Sequence, residues 1–165
     1  MQHKILSHQE IQHKTRRIAY QIYEANVNET EIVIAGIDGG GLKFAKKIQR
    51  ILKEITAAEI ILCKVSMDKN NPVESGVQVS IPESAYIDKS VVLVDDVLNS
   101  GTTLIYGVHH FLGVPLKQLK TAVLVNRNHK KFPVKADYKG ISLSTSLQEH
   151  VGVVFETKND AVFLT

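Results

Sequence analysis

The chain has 165 residues, 44% of them hydrophobic, and its 20 basic and 17 acidic residues leave a net charge of +3. That size supports one good core in one domain, and so mild a basicity admits an anionic ligand without demanding nucleic acid. A single cysteine, Cys63, excludes an intrachain disulfide and fits a reducing cytoplasm, while no apolar stretch approaches the ~20 residues of a membrane span and no secretory h-region follows Met1-Gln2-His3-Lys4.

Ser7-His8-Gln9-Glu10 has the spacing of a capping box, and Ile11, Ile18 and Ile22 mark one face of a helix ending near Asn26. Glu31–Ile37 reads as a β-branched strand. Gly39, Gly40 and Gly41 break it, and Leu42, Ala45, Ile48, Leu52 and Ile55 restart at helical spacing. A strand at 60–65, with Cys63 as a core thiol rather than a nucleophile, precedes a polar stretch at 66–84 that predicts a flexible flap or a small antiparallel hairpin. An apolar strand opening at Val91 leads to a helix at 103–112, stopped by Gly113 and Pro115. Another strand follows at 119–125. Two short strands, 151–156 and 161–164, close the tail around a turn at 157–160. Strands alternating with helices imply a parallel α/β sheet with ligand loops at the strand C-termini, which brings 38–41, 95–103 and 126–133 to one rim.

The run from Val91 to Thr103 carries the chemistry. Val91-Val92-Leu93-Val94 ends in two carboxylates, Asp95 and Asp96, and then in the turn Ser100-Gly101-Thr102-Thr103. Hydroxyls, a glycine that allows close backbone approach and the start of a helix together suit a phosphate. Carboxylates beside a phosphate become compatible once a sugar lies between them, because ribose hydroxyls donate and carboxylates accept. The competing reading is an ordinary strand whose acidic end caps the next helix.

This segment resembles the phosphoribosyl-diphosphate (PRPP) signature of type I phosphoribosyltransferases. The runs Thr121-Ala122-Val123-Leu124-Val125-Asn126-Arg127-Asn128-His129, Phe132-Pro133-Val134-Lys135-Ala136-Asp137-Tyr138 and Asn159-Asp160-Ala161-Val162-Phe163 are similar to the pyrimidine-operon attenuators that are also uracil phosphoribosyltransferases. The resemblance implies the type I phosphoribosyltransferase fold, a mainly parallel twisted sheet flanked by helices with a small flap. It implies transfer of a 5-phosphoribosyl group from PRPP to a nucleobase, uracil above others, giving UMP and pyrophosphate. Carried onto this chain, Asp95 and Asp96 hold the ribose hydroxyls and favour the positive charge developing on the sugar, neither acting as a nucleophile. Leu98, Asn99, Ser100, Gly101, Thr102 and Thr103 take the 5-phosphate, and Asp38, Gly39, Gly40 and Gly41 face the pyrophosphate. Mg2+ is held mainly through PRPP rather than by direct protein ligands. A homodimer in the cytoplasm is implied, away from any membrane.

Two stretches depart from that family. Where it places Thr-Arg-Gly in the pyrophosphate loop, this chain has Asp38-Gly39-Gly40-Gly41, leaving Lys43 as a nearby cation, and the flap's Tyr-Arg-Asp-Asp has no clean match in Ser66-Met67-Asp68-Lys69-Asn70. Asn99 stands where purine members often carry an acid, which favours a pyrimidine. The family reads uracil through backbone in a segment matching 140–146, so Gly140, Ile141 and Ser142 become base contacts, and Arg127 and His129 become substrate or diphosphate contacts on the rim. The rival reading is a PRPP- or nucleotide-sensing RNA-binding regulator with weak or no catalysis, using Lys14, Arg16 and Arg17 with Lys43, Lys46, Lys47, Arg50 and Lys53. His109 and His110 are adjacent, which is not ligand spacing on a helix.

Overall fold

The protein is described from a computed structural model, which covers residues 1–127 and 129–165. In chain order the elements are β1 (His3–Leu6), α1 (His8–Ala25), β2 (Glu31–Ile37), α2 (Gly40–Ile55), β3 (Glu59–Ser66), α3 (Pro72–Ser75), β4 (Gln78–Val79), a 3-10 turn at Glu83–Ala85, β5 (Ser90–Leu98), α4 (Thr102–Phe111), β6 (Gln118–Arg127), β7 (Tyr138–Leu143), β8 (Val151–Val154) and β9 (Ala161–Leu164). Six strands form the main sheet in the order β4-β3-β2-β5-β6-β7. All neighbours in it are parallel except β4, which folds back against β3.

Both faces of this sheet are covered, which explains why its strands read as continuous apolar runs rather than alternating ones. Ile32 and Ile34 of β2 join Val92, Val94 and the buried stripes of α1 and α2 in one core. Val33, Ala35 and Ile37 point the other way, into a second core with Leu93, Leu104, Phe111 and Tyr86. The thiol of Cys63 lies in that second core, where burial pushes its pKa up to about 12.

The helix starts divide into two kinds. At α1 the capping box is complete: Ser7 Oγ accepts from the Glu10 N–H at 3.3 Å and the Glu10 carboxylate accepts from the Ser7 N–H at 3.2 Å. The N-caps of α2 and α4 are instead Gly39 (φ 93°) and Gly101 (φ 87°), and neither helix has a side-chain cap. The Thr102 N–H donates to Ser100 Oγ at 3.3 Å, the N–H groups after it in the first turn of α4 and those of the first turn of α2 face the helix starts, and both helices begin on the C-terminal rim, after adjacent strands. The positive φ angles explain the glycines.

Several boundaries differ from the sequence expectation. Helix α2 starts at Gly40, so only Asp38 and Gly39 form the turn after β2 and the next two glycines are helical. A Cβ at 40 would sit 2.1 Å from Asp96 Oδ2 and displace that side chain, and α2 lies hard against the β5 backbone at Gly41, where a Cβ would meet the Val94 carbonyl at 2.8 Å. Of the segment at 140–146, expected as a base-reading loop, residues 140–143 belong to the edge strand β7, with Ile141 opposite Val125 and Ser142 opposite Asn126. Strand β1 has no counterpart in the expected elements. It pairs antiparallel with β9, which also pairs with β8, giving a small sheet in the order β1-β9-β8 that joins the two ends of the chain.

Buried Asp160, just before β9, fastens this small sheet to the helices. Its carboxylate accepts from Lys47 Nζ of α2 at 2.9 Å, from Gln12 Nε2 of α1 at 3.3 Å and from the Glu156 N–H at 2.8 Å. The stretch at 66–84 holds α3, β4 and the 3-10 turn, so its antiparallel return to β3 is formed.

Candidate active site

Strand β5 delivers both carboxylates to the rim. Asp95 is 4% exposed, and burial, reinforced by the neighbouring Asp96 carboxylate, pushes its carboxyl well above the usual carboxylate range. Asp95 Oδ1 accepts from the Asp96 N–H at 2.9 Å and Oδ2 from the Thr103 hydroxyl at 2.9 Å. Asp96 Oδ1 accepts from the Val97 N–H at 2.8 Å, which steadies its second oxygen over Gly40.

The turn after β5 is held from both sides. Ser100 Oγ and Thr102 Oγ1 lie 2.8 Å apart, and the Ser100 carbonyl accepts from the Lys131 N–H at 2.7 Å and the Phe132 N–H at 3.2 Å. Together with Asp95, Asp96 and Asn99, this turn bounds a cavity of about 300 Å3 that opens at the start of α4. Leu98 is 1% exposed, so its side chain belongs to the core and only its backbone faces the cavity. Thr103 turns its hydroxyl back to Asp95, leaving Ser100 and Thr102 as the hydroxyls best placed for an anion.

Asp96 is a shared wall. On its other side a cavity of about 370 Å3 is bounded by Gly40 and Lys43 of α2 and by Val153, Phe155 and Glu156 near β8. Asp38 Oδ1 accepts from the Gly39 N–H at 2.9 Å, and the Asp38 N–H donates to the Val65 carbonyl at 2.8 Å, which ties the turn after β2 to the end of β3.

Other expected contacts are placed elsewhere. Arg127 is 4% exposed, and its guanidinium donates to Thr145 Oγ1 at 2.5 Å, to Asn99 Oδ1 at 3.1 Å, to the Ser146 carbonyl at 2.8 Å and to the Glu149 carbonyl. Those bonds make it a clamp between the turn after β5 and the loop before β8. His129 Nε2 sits 2.7 Å from the Thr145 carbonyl of the same loop. Gly140 lies inside the sheet, where a Cβ would meet the Leu124 carbonyl at 2.5 Å, so of the expected base segment only Ser142 and its neighbours approach the rim. Asn128, part of the rim loop expected at 126–133, is outside the described residues. Two further residues line the cavity that contains Asp95 and Asp96: Lys69, from the stretch expected as a flap, and Val151 of β8, which had no sequence signal. Among the described residues no group of three or more His, Cys, Asp or Glu converges as a metal cage, and no helix is long and apolar enough to cross a membrane.

Two helix starts without side-chain caps flank a carboxylate pair at the rim of a mostly parallel sheet, the arrangement of an α/β fold with its cavities at the strand C-termini. The chain belongs to the phosphoribosyl transferase domain family, whose model matches residues 1–159. It is a phosphoribosyltransferase, and its reaction class is PRPP-dependent phosphoribosyl transfer. A bifunctional protein PyrR of Clostridium acetobutylicum is 36% identical over 159 residues, covering 91% of this chain and 88% of that protein. A bifunctional protein PyrR of Streptococcus pneumoniae is 32% identical over 146 residues, covering 87% and 84%. Among solved structures, a hypoxanthine-guanine phosphoribosyltransferase of Bacillus anthracis superposes with a TM-score of 0.72 at 24% identity, over 86% of this chain and 82% of that one. A hypoxanthine phosphoribosyltransferase of Trypanosoma cruzi gives 0.75 at 17% identity, over 96% and 94%. These two likenesses bear on the fold, and the fold expected from the alternation of strands and helices is the one found.

Proposed function

We propose that the chain, as one domain with a flap near 66–84, transfers the 5-phosphoribosyl group of PRPP to uracil, giving UMP and pyrophosphate. The C1–diphosphate bond of the ribose breaks, a C1–N1 bond forms, and the N1 proton of the base leaves. The observation that carries this reading is the junction of Asp95 and Asp96 with the uncapped start of α4. Ser100, Thr102 and the first N–H groups of α4 hold the 5-phosphate, and the two carboxylates accept from the ribose hydroxyls. As the leaving group departs, the sugar gains positive charge, and the Asp96 carboxylate beside it stabilises that charge more than it stabilises the ground state, while the Asp95 carboxyl, raised by burial and by Asp96, braces the strand end. The turn at Asp38 and Gly39 and the start of α2 face the diphosphate.

The donor set fits Mg2+ held through the ligand: Asp96 and Asp38 are oxygen donors at the rim, and among the described residues no group of three or more His, Cys, Asp or Glu is arranged to hold the ion directly. When bound, the ion supplies charge neutralisation of the diphosphate. Asn99, committed to Arg127, leaves no acid in the phosphate turn to serve a purine N7, which supports a pyrimidine. Pyrophosphate release from PRPP and Mg2+ across a panel of nucleobases tests this. Uracil should give the fastest turnover, and release with purines alone rejects the base assignment.

A second reading, an RNA-binding regulator, is favoured by the basic groove of Lys43, Lys46 and Arg50 beside Phe155. On α1 the Arg17 guanidinium is already donating to the Lys139 and Gly140 carbonyls at 2.7 and 2.9 Å, and Arg16 lies 5.6 Å over the Tyr20 ring. A hairpin from the messenger of pyrimidine genes should bind more tightly than scrambled RNA in physiological salt and lose affinity on Arg16→Ala. Equal binding of both RNAs rejects this role. Under either reading the protein works in the cytoplasm as a homodimer.

A further inference from the structure

The cavity at the carboxylate pair has walls from distant parts of the chain. Asn99 lines it from the phosphate turn, and Val151, the first residue of β8, lines it as well. Val151 is delivered by the loop 144–150, which also carries Thr145 and Ser146, the end of the segment expected to read the base. Among the described residues no hydrogen bond runs directly from the turn to that loop. One side chain is bonded to both, that of Arg127 at the end of β6.

A guanidinium presents its donors in a rigid planar fork, so acceptors on two segments are held at a set spacing. Nη1 of Arg127 donates to Asn99 Oδ1 at 3.1 Å, while Nε and Nη2 serve the loop through Thr145 Oγ1 and the Ser146 and Glu149 carbonyls. All four acceptors are neutral. The Glu149 carboxylate turns instead to the Ser146 N–H, which donates to its Oε2 at 2.6 Å. Arg127 is therefore a buried cation that forms no ion pair among the described residues. Such a charge is costly to hold away from water, and it responds strongly to any charge of opposite sign placed near it in the interior. The nearest place built for one is the turn that Asn99 opens.

We propose that Arg127 is a positioning residue that couples the phosphate turn to the loop 144–150, so that an anion in the turn orders the loop and tightens the hold on the base. This deepens the reading of the site as a PRPP site and rests on it. The anion supplies, next to Asn99, the negative charge that the guanidinium lacks. A planar group steadied at its Nη1 edge is steadied at Nε and Nη2 too, and opening the loop then breaks bonds to a cation that has become better fixed. The coupling is reciprocal: a base held by the ordered loop tightens the turn on its anion by the same factor.

The test is hydrogen exchange at the Ser146, Glu149 and His150 amides together with calorimetry of uracil, each with and without saturating inorganic phosphate, on the parent chain, Asn99→Ala and Arg127→Lys. In the parent, phosphate should slow exchange at these amides and tighten uracil, each about fivefold or more. Asn99→Ala cuts the link to the turn and leaves the bonds to the loop, whereas Arg127→Lys keeps the charge and loses the fork. In both, the two phosphate effects should shrink to about twofold or less while amides of β5 and β6 exchange as in the parent; where the lysine variant does not fold, Asn99→Ala decides. A phosphate effect of parental size in Asn99→Ala overturns the proposal, because the link then runs by another route. So does a parent whose loop or whose uracil affinity ignores phosphate. PRPP is titrated into the parent in parallel: no binding overturns the PRPP site itself, and binding without coupling overturns only the role of Arg127.

Discussion

Replacing Asp95 by Asn should make the unliganded protein more stable while weakening its hold on PRPP, and the gain should depend on pH. Asp95 is held at 4% exposure with hydrogen bonds from the Asp96 N–H and the Thr103 hydroxyl, so ionisation inside the fold is opposed by burial first and by Asp96 second. Its carboxyl is raised from the ordinary 3.8 to about 8. The native chain therefore keeps a proton that the unfolded chain has released, and stability falls as pH rises from the ordinary value through the raised one. Each pH step of one across that window corresponds to about 1.4 kcal/mol, so crossing most of it removes on the order of a few kcal/mol. Asn keeps the shape and cannot ionise, and the Thr103 hydroxyl can turn to accept from its amide. Urea unfolding of both proteins between about pH 5 and about pH 8 should show the difference, variant minus parent, growing with pH by that amount. PRPP affinity should move the other way, by about 0.5 to 1.5 kcal/mol for a lost hydrogen bond from a ribose hydroxyl to a neutral carboxyl. Parallel stability profiles across the range would refute the reasoning, because they would mean that Asp95 ionises as freely in the fold as out of it.

Gly40→Ala should displace Asp96, costing about 1–3 kcal/mol of stability and most PRPP affinity. Adding Asp96→Ala should restore stability in urea unfolding but not binding. Arg127→Ala, which strips a buried guanidinium from Asn99, Thr145 and two carbonyls, should cost about 2 kcal/mol or more in unfolding. It should also weaken ribose 5-phosphate through the loosened Asn99; an unchanged phosphate affinity would show that the clamp serves only the fold. Cys63, buried with its pKa pushed up to about 12, should resist a thiol reagent at neutral pH and react once the chain is unfolded; rapid labelling of the native protein would contradict its place in the core.

The placement of the carboxylate pair and of the turn after it was legible because it is written in adjacent residues. A strand ending in Asp95 and Asp96 and a turn of Ser, Gly and Thr needed only the rule that ligand loops sit at strand C-termini, and the Ser7 and Glu10 bonds form as their spacing implies. What was hidden depends on contacts remote in sequence. The start of α2 at Gly40 runs against the low helix propensity of glycine, and the close approach of Gly41 to the Val94 carbonyl, 53 residues later, shows only in the fold. Strand β7 carries Lys139, Gly140 and Ser142, a poor strand pattern, and exists because β6 offers it an edge. Arg127 looked like a rim cation, and only the fold shows its donors consumed by the loop before β8. The stretch carrying Lys69 was legible as a flap from its polar composition, but that Lys69 itself lines the cavity of Asp95 and Asp96 shows only in the fold.

The small sheet of β1, β9 and β8 brings His3 opposite Leu164, so its pairing spans almost the whole sequence. Loops that long close slowly, and a chain assembling itself gains its local and mid-range contacts first. During synthesis the parallel core, the carboxylate pair and both glycine-capped helices can form while the wall built from Val151, Val153 and Phe155 still waits for β9 to emerge. Folding order thus separates the parts of the pocket: the anion grips belong to the early core, and the enclosure around them is completed last.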